Sequence, residues 1–221
     1  MSLVKGLRPE RAVTPVWGAA GGRRACLLGL GAVLVAGPGC LHDDPGSDND
    51  TDNGFVPPTP PPPQQRTLGV PFVFQQTPVW CWAAVSEMVF RYYGFGTTQC
   101  QTLSFLYRAD CCTFPGFCQT TAPIELIQQT LLTLGGLRSI RRFSAISAAE
   151  VVAEINSGRP MILAYAGSFS GHVVVLYGYE SAGQILHLHD PLYGSFRVPY
   201  ALTFSYGGSL RWVDTLTGIQ R

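Results

Sequence analysis

Four residues of this chain have types and spacings suited to covalent chemistry on a carbonyl. Cys81 lies in the run Gln75-Gln76-Thr77-Pro78-Val79-Trp80-Cys81-Trp82-Ala83-Ala84, His172 follows Gly171, and Asp190 precedes Pro191. In chain order they supply an amide donor, a thiol, an imidazole and a carboxylate. A thiol attacks as its thiolate, and a free cysteine with a pKa near ~8.5 is only a few per cent ionised at neutral pH. A neighbouring histidine and the amide-rich start of a helix both favour the thiolate. A carboxylate can fix the imidazole. The side chain of Gln75 and the backbone N–H of Cys81 can together donate to an oxyanion.

The elements that must position these groups are legible in outline. After Cys81, Ala84, Val85, Met88, Val89 and Tyr92 recur at helical spacing, with Pro78 just upstream and Gly94 as a stop. This predicts Cys81 at a helix start, where backbone N–H groups have no partner within the helix. Residues 123–134 form a second amphipathic helix, with Ile124, Ile127, Leu131 and Leu134 on one side. A third runs from the Ser147 cap, with Glu150 completing a capping box, to Asn156, ended by Gly158. Strands follow at 161–166, 172–179, 184–190, 195–198 and 210–216. Helices first and antiparallel strands later is an α+β arrangement. If residues 180–183 form the turn of a hairpin, His172 falls opposite Pro191, and opposite Asp190 for a loop one residue off. The pair is then close in distance, and only an odd loop or a bulge puts both side chains on one face.

On the Gln at minus six, the Trp-Cys-Trp-Ala-Ala run, the Gly-His before an apolar strand and the Asp-Pro after the next strand, residues 68–221 resemble the papain-like cysteine peptidases. The likeness is to their compact bacterial branch, which includes staphopain-like secreted enzymes, bacteriocin-leader peptidase domains and certain plant-pathogen effector proteases. The Cys-Gly-Ser/Ala-Cys-Trp box of the plant enzymes is absent, His172 follows Cys81 by 91 residues, and the third member is Asp; these departures fit the compact branch. The resemblance implies Cys81 as nucleophile, His172 as general base and acid, Asp190 as orienter and Gln75 as oxyanion donor. Gln76, at minus five, is the poorer match for the last role. It also implies a nucleophile helix packed on a C-terminal antiparallel sheet or half-barrel, a peptide or protein substrate, and no cofactor. A transglutaminase-type acyl transferase would use the same triad, and a non-catalytic peptide-binding module could reuse the scaffold. Any proteinaceous inhibitor leaves no mark on the sequence.

Composition divides the 221 residues into three segments. Residues 1–40 read as an export signal, lipoprotein-type or secretory: Lys5, Arg8, Arg11, Arg23 and Arg24 precede an apolar stretch of 13 residues at 25–37. Gly37-Pro38-Gly39-Cys40 resembles a lipoprotein cleavage box, which makes Cys40 the candidate lipid site and the membrane a partner through it. Arg23-Arg24 loosely resembles a twin-arginine signal. Residues 41–66 hold Asp43, Asp44, Asp48, Asp50 and Asp52 and a Pro-rich run at 57–63. They are expected to be a disordered acidic segment and stiff spacer. The remainder, 67–221, is the catalytic-type domain. With five basic residues and one acidic residue ahead of Cys40, the chain from Cys40 onward keeps ten basic and thirteen acidic, a net charge near −3. No basic patch for nucleic acid is visible.

Of seven cysteines, Cys26 lies in the signal, Cys40 is the lipid candidate and Cys81 the nucleophile. Cys100, Cys111, Cys112 and Cys118 remain, an even number that favours two disulfides in an exported protein. A bridge between adjacent Cys111 and Cys112 is strained, which leaves two connectivities. A four-cysteine zinc site is the competing reading, weakened by the lack of paired Cys-x2-Cys knuckles. His187 and His189 have a metal-ligand spacing, but strand alternation puts them on one face and Asp190 on the other, so no metal site is expected there. Trp80 and Trp82 are expected to pack, with Trp80 the nearer to the cleft.

Overall fold

The computed structural model describes residues 63–221; the export signal, Cys40 and most of the linker lie outside the described residues. The elements in chain order are β1 (Arg66–Thr67), α1 (Cys81–Tyr92), α2 (Gln99–Tyr107), α3 (Ile124–Gly135), β2 (Arg138–Arg142), α4 (Ala148–Asn156), β3 (Met161–Ala166), β4 (Gly171–Glu180), β5 (Ile185–Asp190), β6 (Gly194–Pro199), β7 (Ser205–Tyr206) and β8 (Leu210–Gln220), with short 3-10 turns between some of them. Four helices pack on one antiparallel sheet of order β2-β8-β3-β4-β5-β6, with β1 added to β4 and β7 to β8. This is the expected α+β architecture.

The helix α1 is the centre of the packing. Every residue from Trp82 to Phe90 is buried, the polar Ser86 and Glu87 included, so the helix is covered on all sides. It lies against β4, α2 and α3. Its start is Cys81, the first helical residue after Trp80, and its end is released by Gly94 at φ +85°. The two indoles that bracket Cys81 are packing residues with polar anchors. Trp80 Nε1 donates to the Cys118 carbonyl at 2.9 Å and Trp82 Nε1 to the Thr120 carbonyl at 3.0 Å. Buried indole N–H groups need such acceptors. Trp80 is wholly buried and does not line the cleft.

The segment that supplies those carbonyls is stapled by two disulfides, Cys100–Cys112 and Cys111–Cys118, one of the two connectivities left open by the sequence. Cys81 is the free thiol among the described residues. The capping box at Ser147 and Glu150 forms as expected, with Ser147 Oγ accepting from the Glu150 amide and Glu150 Oε2 accepting from Ser147. Four elements are absent from the sequence expectation: α2, β2 and the two-residue strands β1 and β7. The short α2 buries only Gln99, Thr102 and Leu103, too few apolar residues to give a helical stripe. Its Thr98/Gln101 capping box was the available signal.

The β4–β5 hairpin departs from the expected register in a way that decides the site. Glu180 pairs with Ile185, so the turn is residues 181–184 and not 180–183. The pairs Gly178↔His187 and Leu176↔Leu188 leave Tyr177 as one extra residue on β4, a β-bulge. Beyond it Val175 faces His189, and three more steps bring His172 level with Leu192, which shares its face with Asp190. Continued without the bulge, Glu180↔Ile185 would set His172 level with Tyr193 and turn Asp190 to the other face. Next to the bulge, Gly178 admits the close approach of β1: a Cβ there would meet Thr67 Cγ2 at 2.7 Å and the Arg66 carbonyl at 2.9 Å.

Candidate active site

Of the four residues singled out by the sequence, Cys81 and His172 line a cleft of about 620 Å³, while Asp190 and Gln75 lie outside its lining. Cys81 comes from the N-terminus of α1 and His172 from the second residue of β4; both line the cleft. Asp190 comes from the last residue of β5, fully buried behind the imidazole. The loop before α1 carries Gln75, whose backbone N–H donates to the Pro191 carbonyl at 2.9 Å, tying it to the residue that follows Asp190. The far wall is built from Ala164, Ala166 and Gly171 on the β3–β4 hairpin, with Phe169 fully exposed at its tip and Arg141 held between Glu125 and Asp214.

His172 Nε2 and Asp190 Oδ1 are 2.8 Å apart. An ionised carboxylate only accepts, so Nε2 carries the proton of this bond and Nδ1 is left for Cys81, which lines the same cleft. Burial by itself would push His172 down. The hydrogen bond to Asp190 and its negative charge, with Cys81 adding in the same direction, outweigh it and hold the imidazole at about 9. Burial likewise disfavours charge on Asp190, yet its bonds from His172 and Tyr206, the imidazolium charge and the Leu192 amide bring it below the usual carboxylate range. At neutral pH the pair is therefore imidazolium and carboxylate.

Asp190 is satisfied on every side. Oδ1 accepts from the Leu192 amide at 2.8 Å and the Tyr193 amide at 3.3 Å as well as from His172, and Oδ2 accepts from the Tyr206 hydroxyl at 2.6 Å. Tyr206 also lies over the imidazole, with ring centroids 4.9 Å apart. Burial and the adjacent Asp190 raise its phenol far above the ordinary range, so the hydroxyl stays a donor. Sequence reasoning missed Tyr206. The Gly207-Gly208 turn could have marked the short β7–β8 hairpin that carries it, since both glycines have positive φ, but nothing local says that the phenol reaches Asp190.

Gln75 is half-buried, with Nε2 donating to the Thr77 carbonyl at 2.9 Å and Oε1 buried without a partner. That bond leaves the second Nε2 hydrogen free. The rival, Gln76, has an exposed side chain and uses only its backbone N–H, which donates to Gln99 Oε1 at 3.0 Å. The Cys81 N–H, at the first helical position, has no acceptor within the helix.

His187 and His189 share one face of β5, as expected, and each has its own partners. His187 Nε2 meets Glu180 Oε1 at 2.8 Å. His189 bonds the Val70 carbonyl and Ser195 and stacks on Tyr177 at 3.8 Å. Burial pushes His189 down, against the Val70 bond, and keeps it neutral. Neither enters the cleft.

Comparison with known proteins gives the same scaffold. The Peptidase_C39 like family matches residues 67–212. A solved protein described as a C39-like peptidase from Bacillus anthracis has TM-score 0.50 at 13% identity, covering 72% of this chain and 99% of that one. The peptidase domain of Streptococcus ComA, a bi-functional ABC transporter of a quorum-sensing pathway, has TM-score 0.49 at 16% identity over 67% of this chain and 98% of its own. A double glycine motif protease from an AMS/PCAT transporter, solved with a leader peptide, has TM-score 0.44 at 19% identity over 68% and 91%. No curated protein matches. With two thirds of its length matched and the helices and antiparallel sheet in place, the chain belongs to the Peptidase_C39 like family, a papain-like cysteine peptidase scaffold.

Proposed function

We propose that the chain is an exported cysteine peptidase that hydrolyses peptide bonds with Cys81, His172 and Asp190. The observation that carries this reading is the buried His172–Asp190 bond of 2.8 Å beside a free thiol in one open cleft. The Cys81 thiolate adds to the scissile carbonyl, and the oxyanion is met by the Cys81 N–H and the free hydrogen of Gln75 Nε2. His172, charged at neutral pH, gives its Nδ1 proton to the leaving amine as the C–N bond breaks and a thioester remains. The now neutral imidazole takes a proton from water, the hydroxide adds to the thioester, and the carboxylate product leaves as sulfur returns to its thiolate. Asp190 keeps the imidazole in register throughout and is not itself protonated. Loss of peptide cleavage in Cys81→Ala, with loss of labelling by a thiol alkylator, is the expected result.

Export is supported by the two disulfides, which persist in oxidising compartments, and by the basic and apolar start of the chain. Membrane tethering through Cys40 rests on the Gly37-Pro38-Gly39-Cys40 box. Palmitate labelling of the full-length protein in a bacterial host should vanish in Cys40→Ser. Equal labelling of the two would remove Cys40 as the lipid site.

A further inference from the structure

If Gln75 is the oxyanion donor, its carboxamide must stand at a fixed place beside Cys81, yet its own side chain has a single anchor, the bond from Nε2 to the Thr77 carbonyl. Oε1 is unpartnered. The position of the amide therefore depends on the backbone on either side of Gln75, and one buried side chain grips that backbone on both sides. Gln99, the first residue of α2 and wholly buried, donates from Nε2 to the Phe74 carbonyl at 2.9 Å and accepts at Oε1 from the Gln76 N–H at 3.0 Å. A carboxamide with one donor and one acceptor so used pairs with the flanking peptide groups as a neighbouring strand would.

Gln99 is itself referenced to the nucleophile's helix. Its backbone N–H donates to Glu87 Oε2 at 3.0 Å, and Glu87, buried on α1 six residues after Cys81, is paired through Oε1 with Arg91 at 2.5 Å. A buried carboxylate keeps its charge only when paired and hydrogen-bonded, and here both oxygens are engaged. The next residue, Cys100, is bridged to Cys112, which tethers the start of α2. One side chain thus connects the helix that carries the thiol with the loop that carries the donor.

We propose that Gln99 is a positioning residue for the oxyanion donor, holding the 74–76 backbone so that Gln75 Nε2 meets the developing negative charge. The proposal rests on the reading of Gln75 and Cys81 given above. It separates from a merely structural role because Gln99 touches neither the thiol nor the imidazole: its loss should act on turnover through Gln75 alone.

The test uses the full chain and a peptide that the wild type cleaves. Gln99→Met, of similar length and without either hydrogen bond, should lower kcat by about 10- to 100-fold, the order expected from displacing a group by about 1 Å. KM should change less than about twofold, and the rate of Cys81 alkylation by iodoacetamide should stay that of wild type. In a Gln75→Ala background the same substitution should change kcat no further, since the group it places is gone. Gln99→Glu keeps the acceptor for Gln76 and loses the donor to Phe74; its kcat should fall between the two, and it carries the comparison if Gln99→Met does not accumulate. Wild-type kcat in Gln99→Met or Gln99→Glu beside a crippled Gln75→Ala overturns the proposal, as does a loss that adds in full to that of Gln75→Ala. If Gln75→Ala itself keeps full kcat, the donor assignment has failed and this inference falls with it. If Cys81→Ala cleaves as well as wild type, the failure lies in the peptidase reading.

Discussion

His172 and Asp190 face each other across 2.8 Å because Tyr177 is an extra residue in the strand between the histidine and the hairpin turn. The bulge shifts the ladder by one residue and reverses which face Asp190 shares. With the even, four-residue turn at 181–184, strand alternation alone would leave the two on opposite faces. The site therefore depends on backbone geometry at a residue that touches neither partner.

Loss of the triad members should differ in kind. Cys81→Ala should abolish turnover while leaving the melting temperature near that of wild type, since it removes one sulfur at the cleft. His172→Ala should abolish turnover and also lower the melting temperature at pH 6, since it leaves the buried Asp190 carboxylate without its imidazolium partner. Asp190→Ala should lower turnover and also destabilise the fold. The carboxylate is buried and accepts from four donors, and leaving such donors unpaired costs about 1–3 kcal/mol. A wild-type melting temperature for Asp190→Ala would contradict the burial described for that carboxylate.

The elevated imidazole sets an alkaline limit. kcat/KM should fall as pH rises through about 9, where His172 loses its proton, and Asp190→Asn should move that limb to lower pH by removing the nearest negative charge. The sign for stability follows from linkage. With a folded value of about 9 against the ordinary 6.5, the pair's contribution is complete below 6.5 and is lost as pH rises toward and through 9. Denaturant titrations at pH 6 and pH 9.5 should show less stability at the higher pH. An alkaline limb unchanged in Asp190→Asn would break the link between the carboxylate and the imidazole.

For the oxyanion, Gln75→Ala should lower kcat by on the order of 10²-fold with little change in KM, as loss of one preorganised donor does. Gln76→Ala should be near wild type, because the structure uses its backbone and exposes its side chain. The reverse order of effects would move the donor role to Gln76.

The candidates Cys81, His172 and Asp190 stood out in the sequence because their signals are local: a thiol at a helix start, a Gly-His before an apolar strand and an Asp-Pro after the next. The helix of Cys81 and the Ser147 cap were legible for the same reason, since helical spacing and capping boxes are short-range signals. What was hidden depends on contacts distant in sequence. Tyr206 reaches Asp190 from a two-residue strand, and Gln99 reads as an ordinary polar residue until its bonds to Phe74 and Gln76 close. A bulge was only one of two ways, with an odd loop, to bring His172 and Asp190 to one face, and its place at Tyr177 was hidden because no residue type obliges a strand to bulge there. The disulfide connectivity was narrowed to two choices by the adjacency of Cys111 and Cys112 and settled by the turn that sets Cys118 beside Cys111.

The cysteines give a separate check. Non-reducing peptide mapping should recover Cys100 linked to Cys112 and Cys111 linked to Cys118, with Cys81 as the thiol alkylated in the folded protein. Reduction should lower the melting temperature, each bridge contributing about 2–4 kcal/mol. It should also slow turnover, since Trp80 and Trp82 hang from the carbonyls of Cys118 and Thr120. A linkage of Cys100 to Cys111 would contradict the arrangement of that segment.

The assignment of Cys81 as the nucleophile of a peptidase stands or falls on a peptide-library cleavage profile of wild type beside Cys81→Ala. Wild type should give defined cleavage products, abolished by prior alkylation of Cys81, and Cys81→Ala should give none. Identical product profiles from the two proteins would contradict it.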